Sequence, residues 1–320
     1  MPGRWLDAVL AAGATAASHA PDAAAGRADL ADVTGAELLE DAELQVHDVA
    51  NDPWRPESAA FLDSMQHWRV VAYDGIVPIV RAWVAAAVRR RGPDRRLHTI
   101  HEDGFELIVT FPDRLSPAVR DTLAAEPQLR AVAAEHLAQP AQALTAARRI
   151  VEGERTRLER AVGERWIPDA PAGEWLVLDG VLSDHAKLAA HSRALGVVKN
   201  HGAQYFAGRE QERALTLPAG RRTSVFQPAA RGSAAVYSWY LRLWPWEGHD
   251  LLYGLVRVEA PAREASRQQA AALSSWLLAE RAPLSAPDAR WDRLVYPIHD
   301  VETYLRARAP RDHAAAGGLA

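Results

Sequence analysis

Trp68-Arg69-Val70-Val71-Ala72-Tyr73-Asp74-Gly75 and Trp175-Leu176-Val177-Leu178-Asp179-Gly180 share one design: an apolar, β-forming run, then an aspartate, then a glycine. Short runs of this composition read as strands, the second type as one buried on both faces of a sheet. Ligands of α/β sheets gather where strands end, and a glycine after the carboxylate lets the backbone turn away while the side chain enters the crevice. Asp-Gly is also among the commonest turn dipeptides, so each aspartate has a plain reading as a turn residue. The repetition of the pattern on two apolar runs makes Asp74 and Asp179 candidate ligands of a cation.

Outward from these runs, the chain alternates strands and helices, which specifies an α/β class. Ala82 to Arg91 reads as the rest of a hairpin or as a short helix, followed by a basic turn that ends at Arg96. Leu97 to His101 and Phe105 to Phe111 read as strands joined by a turn at Glu102-Asp103-Gly104. Between the two aspartates, Ser116-Pro117, Pro127 and Pro140 each suit the first turn of a helix. The third helix is long, with Leu144, Ala147, Val151, Leu158 and Val162 on one stripe that would cover a sheet. Beyond Asp179, Ala194 to Val198 reads as a strand ending at Lys199. Val236 to Leu243 and Leu252 to Glu259 read as an antiparallel pair, and helices over about 262–280 and 297–308 close the fold. Residues 1–60 read as an N-terminal extension, 61–309 as the main domain, and 310–320 as a tail with little to bury.

Composition narrows the chemistry. A chain of 320 residues with 48% hydrophobic content can bury a substantial core. With no cysteine, thiolate zinc sites, iron–sulfur clusters and cysteine nucleophiles are excluded, and a metal must be held by oxygen or imidazole. The formal charge of −4 excludes a generally basic coat but not a local basic surface. The alanine-rich start is interrupted by Asp7 and reads as an amphipathic helix rather than a secretory signal. No run is long and apolar enough to span a bilayer, so a cytoplasmic location is the expectation. Phosphate-cradling GxxxxGK[ST], GxGxxG and GxSxG motifs do not occur, so energy input would come from a partner.

A hard divalent cation such as Mg²⁺ or Mn²⁺ needs few protein carboxylates, because water and substrate phosphate fill the rest of its shell. A third carboxylate is expected from the long helix. There Glu154 intrudes into the apolar stripe and Glu159 lies on its margin; either reading competes with a charge that merely snorkels to solvent.

The succession Asp74-Gly75, Arg157-Leu158-Glu159, Asp179-Gly180, Gly196-Val197-Val198-Lys199, Arg257-Val258-Glu259 and Tyr296-Pro297 resembles that of the NurA nucleases over about residues 68–308. The resemblance implies an RNase H-like mixed β-sheet flanked by helices, carrying a helical insertion and an N-terminal extension. It also implies a Mn²⁺- or Mg²⁺-dependent nuclease acting on single-stranded DNA and duplex ends, dimeric, and docked on a HerA-type hexameric ATPase. Carried over, Asp74, Glu159 and Asp179 are metal ligands, with Glu154 the alternative on the helix. The family has a histidine shortly after its Tyr-Pro; this chain has Tyr304 there, so His299 or Asp300 is the candidate for that role.

Lys199 is a candidate for binding the scissile phosphate; Glu259 is either a ligand or a partner of Arg257. Arg221, Arg222, Arg242 and Trp244 are candidates for DNA contact, through phosphate pairing and base stacking. Strand alternation commits at least one face of the Trp239 to Trp244 run to the core. His98 and His101 lack the spacing of a helical zinc pair, and Asp184-His185 and His191 carry no motif. Two other readings remain open: a NurA-like adaptor that has lost catalysis, suggested by the altered late motif, and an RNase H-like enzyme acting on RNA or hybrids.

Overall fold

The computed structural model describes residues 4–16, 34–49, 52–93, 96–133, 139–229, 233–247, 249–281 and 295–309. The elements run α1 (Arg4–Ala11), β1 (Thr15–Ala16), β2 (Ala36–Leu38), β3 (Val46–Asp48), β4 (Ser58–Asp74), β5 (Val77–Arg91) and β6 (Leu97–Thr110). They continue through α2 (Pro117–Ala124), β7 (Leu129–Ala131), α3 (Pro140–Asp169), β8 (Glu174–Asp179), α4 (Ala186–Ala190), β9 (Ala194–Val198) and α5 (Gly208–Leu215). The last are β10 (Arg221–Thr223), β11 (Phe226–Pro228), β12 (Val236–Arg242), β13 (Leu255–Pro261), α6 (Glu264–Gln268), α7 (Ala270–Glu280) and α8 (Tyr296–Arg308). The 310–320 tail lies outside the described residues.

One mixed sheet organises the chain, in the order β2-β11-β12-β13-β9-β8-β4-β5-β6-β7. Its centre is an antiparallel meander, β4-β5-β6, with β8 added parallel to β4 and β9 parallel to β8. The crossover from the meander to β8 runs through α3, as a parallel connection requires. This is the RNase H-like α/β arrangement. The N-terminal lead-in is woven into it: β1 pairs with β4, β2 with β11 and β3 with β10.

The meander is longer and less interrupted than the sequence pattern suggests. β4 begins at Ser58, not Trp68, and its 17 residues far exceed an ordinary strand. β6 is unbroken through Glu102-Asp103-Gly104, where a turn was expected, because Gly104 stays in register with Ala85. After Pro127 the chain forms β7 beside β6 instead of a helix; the bonds from Ile108 N to Gln128 O and from Val132 N to Thr110 O extend the ladder there.

Both faces of the sheet are covered, which explains the continuous apolar runs. Ala60, Leu62, Leu176 and Leu178 meet the α3 side chains Val151, Leu158 and Val162 in one core. Their strand neighbours Phe61, Trp175 and Val177 meet Trp276 of α7 and Ile298 and Val301 of α8 in a second. Gly163 fixes how closely α3 approaches: a Cβ there would lie 2.7 Å from the buried Leu62 Cδ2. That close seat brings Glu159, one helical turn earlier, to the level of Ser64. No helix of the described residues is long and apolar enough to cross a membrane.

Candidate metal centre

β4 and β8 pair in parallel from Ser58↔Glu174 to Leu62↔Leu178, so the next residues on each strand, Asp63 and Asp179, stand side by side where the pairing stops. By alternation both share the face of Phe61 and Val177. β9 adds Lys199 just past its end, and Lys199 Nζ donates to Asp179 Oδ2 at 2.9 Å. Asp63 is 6% exposed and accepts from the Ser64 N–H at 2.7 Å. Burial first, then the Asp179 carboxylate, push the Asp63 carboxyl well above the usual carboxylate range; Lys199 opposes this and Glu159 adds to it. A buried carboxyl that feels the negative charge of two others is a place where a cation is electrostatically favoured.

Glu159 approaches the end of the pairing from α3, on the Leu62 side of the sheet, and is itself buried. Ser64 Oγ and Arg155 Nη1 both donate to its Oε2, and Arg155 also donates to Ser64 Oγ at 2.6 Å. Its Oε1 lies 3.3 Å from His185 Nε2, on a ring 3% exposed. These partners hold Glu159 on the α3 face of the sheet, beside Ser64, while Asp63 and Asp179 share the other face. Glu159 is near enough to add to the upward push on the Asp63 pKa, but the three do not bring ligand atoms within 4.8 Å of one another.

Asp74 is corrected. It pairs with Val77 across the turn that joins β4 to β5, where Gly75 takes a φ of 60°. Its Oδ2 accepts from the Ser116 N–H at 2.5 Å. The eleven residues separating it from Asp63 span roughly 35 Å of extended chain, so Asp74 and Asp179 share no coordination sphere. The turn reading of Asp-Gly holds at Asp74, and the strand-level partner of Asp179 is Asp63. A signal for it exists in the sequence: Ala59-Ala60-Phe61-Leu62-Asp63-Ser64 is also an apolar run followed by an aspartate and a small residue.

Other candidates separate similarly. Glu154 is bound to Arg130 at 3.2 Å and to Arg157, which ties α3 to β7. Asp300 pairs with Arg89, and His299 Nδ1 lies 3.8 Å from Glu302 on its own helix; neither has a contact with the carboxylates among the described residues. Tyr304 donates to Glu102 and lies under Arg89. Glu259 accepts from the Ser183 N–H at 3.0 Å and pairs with Arg257, a structural role.

Two of the arginines expected to contact DNA, Arg222 and Arg242, are buried. Arg242 is fully buried and donates to the carbonyls of Leu215, Leu217, Leu251 and Tyr253, so it fastens loops and is closed to phosphate. Arg222 is buried and clasps Glu40 through two 2.7 Å bonds. Trp244 is half-buried with the Arg281 guanidinium 4.0 Å above its ring. Arg221 pairs with Asp48 and keeps a partly exposed side chain. Trp239 is core, its Nε1 donating to Ser274 Oγ at 2.8 Å.

Among the described residues, only Glu40, Asp41 and His47 bring three potential ligand atoms within 4.8 Å of one another. Arg222 already compensates Glu40, and Asp41 accepts from Ser224 Oγ at 2.6 Å and lies 2.7 Å from His47 Nε2. The Ser224 hydrogen bond holds the Asp41 carboxyl below its usual range. This cluster is a clasp that pins β3 and the preceding loop to β10. No protein-family model matches the chain, and no curated protein matches it.

Proposed function

We propose that this chain is a divalent-metal-dependent phosphodiester hydrolase acting on DNA, with Asp63, Asp179 and Glu159 as its carboxylates. The observation that carries the reading is the meeting of Asp63 and Asp179 at the end of the parallel β4–β8 pairing, with Glu159 opposite on α3. The donor set is entirely hard oxygen and fits Mg²⁺ or Mn²⁺ better than a softer metal. When bound, such a cation supplies Lewis-acid polarisation of the phosphodiester and activation of the attacking water.

The chain's own residues have distinct tasks. Asp63 and Asp179 would hold the cation from adjacent strands, and Glu159, on the α3 side, would add negative charge nearby. Lys199 neutralises Asp179 and offers positive charge to the phosphate. Arg155, a half-exposed guanidinium beside Glu159, offers a second. The NurA resemblance, with Asp63 taking the place given to Asp74, supports DNA ends and single strands as substrates. It also supports a homodimer, a HerA-type ATPase as partner, and a cytoplasmic location.

The test is Mn²⁺-dependent degradation of end-labelled DNA by purified protein, alone and with a HerA-type ATPase. EDTA-sensitive cutting that is lost in Asp63→Asn and Asp179→Asn, with folding retained, is the expected result. Undiminished cutting by both variants overturns the assignment. Tyr304 at the family's histidine position favours the adaptor reading, which predicts ATPase binding without cutting under any of these conditions.

A further inference from the structure

The loop leaving Lys199 builds a second feature that the proposed hydrolysis does not use. Between this loop, α5 and the hairpin that joins β12 to β13 lies a cavity of about 320 Å³. Its walls include Tyr205, Phe206, Tyr240 and His201, and its polar lining includes Gln204 and Gln211. The aromatic wall is braced from behind by Phe226, whose ring centroid is 4.9 Å from that of Phe206 and 5.8 Å from that of Tyr240. The loop is fastened before any ligand arrives. His201 Nε2 lies 3.0 Å from Leu255 O, and both the N–H (2.8 Å) and the hydroxyl (3.1 Å) of Thr34 donate to Gln204 O.

The two amides at the cavity wall are paired with each other. Gln211 Nε2 donates to Gln204 Oε1 at 3.0 Å. Among the described residues no other bond takes the Gln204 amide hydrogens or the Gln211 carbonyl oxygen, so the pair offers neighbouring donors and an acceptor. Burial pushes the Tyr240 hydroxyl up to about 12, which keeps it a neutral donor at any working pH. A flat heterocycle with alternating donors and acceptors on its edge matches both halves of this lining.

We infer that this cavity is a nucleobase subsite, which seats one unpaired base of the strand whose phosphate lies at Asp63, Asp179 and Lys199. The inference rests on reading the chain as an enzyme of nucleic acids. Its position suits that use: His201 follows Lys199 by two residues, at most about 7 Å of chain, so the base pocket and the phosphate charge belong to one short stretch of substrate. Stacking against aromatic rings is tolerant of sequence, while the amide pair gives a preference among bases.

The experiment compares binding, not cutting. A 5′-fluorescein thymidine trinucleotide and its fully abasic counterpart carry the same phosphates, and anisotropy measures both against the full chain in EDTA and again in Ca²⁺. Wild type should prefer the base-bearing probe by roughly 10- to 100-fold. Gln211→Trp, which fills the cavity from a partly exposed position on α5, should erase that preference and leave abasic binding unchanged. Leu251→Trp at the exposed rim, 40% accessible, should do the same without touching packed residues. Equal wild-type affinity for the two probes, or a preference that survives both variants, overturns the subsite. A chain that cuts DNA but does not discriminate loses the pocket alone; one that discriminates but never cuts loses the hydrolase reading alone.

Discussion

The two ends of the β4–β8 pairing carry buried carboxylates that are treated in opposite ways. At its start Glu174 has no exposed side-chain surface, yet it accepts from Arg90 Nε and Nη2, Ser58 Oγ and Trp166 Nε1. Burial raises its pKa, but the hydrogen bonds from Arg90, Ser58 and Trp166 outweigh burial and hold it below the usual range. At the far end of the same pairing, Asp63 has the neighbouring Asp179 carboxylate, one backbone N–H and a lysine already bound to that neighbour, and its pKa moves up. A carboxylate kept for structure is surrounded by donors. Asp63 is left short of donors, as a carboxylate with the proposed role of cation ligand would be, and the fold bears the cost.

The sharpest way to break this contrast is to neutralise each end. Asp63→Asn should lower Mn²⁺-dependent cleavage on the order of 10³-fold or more, read as initial rates on labelled DNA, while the fold persists. Glu174→Gln should do the reverse: little change in rate per folded molecule, but a loss of roughly 3 kcal/mol in urea unfolding, because Arg90 and Trp166 lose a charged partner in a buried site. Equal effects of the two changes on stability would erase the distinction.

The contrast also has a pH signature, measured by denaturation in EDTA. Glu174, with its folded pKa depressed, contributes stability that is present above its unfolded value near 4.5 and is lost as the pH falls through the folded value. Asp63 runs the other way. Its folded pKa is raised, so the unfolded chain releases the proton first, and the stability of the metal-free protein declines as the pH rises above the ordinary aspartate value of 3.8 toward the folded one. The limiting slope is about 1.4 kcal/mol per pH unit. Asp63→Asn should flatten that decline, and Mn²⁺ should offset it in the wild type only.

The sheet and its helices were legible because their signals are local. Trp175 to Asp179 and Ala194 to Val198 announce buried strands, and Pro140 begins the long helix where a first-turn proline belongs. The position of Asp63 was not, because it sits inside a strand that continues for eleven residues beyond it, and no local rule marks where a neighbouring strand stops pairing. The apolar run before it marks it as a candidate, but the register Leu62↔Leu178 is what sets it beside Asp179. His185, without a motif around it, is joined to Glu159 by tertiary contact alone. Arg222 and Arg242 are closed to DNA for a related reason: the sequence supplies a guanidinium, but the Glu40 carboxylate and the carbonyls that engage them come from elsewhere in the chain.

The smallest expected effect tests the residue that looks most like a ligand. Asp74 has the same flanks as Asp179, an apolar strand before and a glycine after, yet its carboxylate does no more than cap the Ser116 N–H ahead of α2. Loss of such a cap costs about 1 kcal/mol, and asparagine keeps an acceptor oxygen in the same place. Asp74→Asn should therefore cut DNA within about 2-fold of wild type and unfold within about 1 kcal/mol of it. A loss of cleavage comparable with that of Asp63→Asn would mean that the strand end, and not the end of the β4–β8 pairing, is where the cation resides.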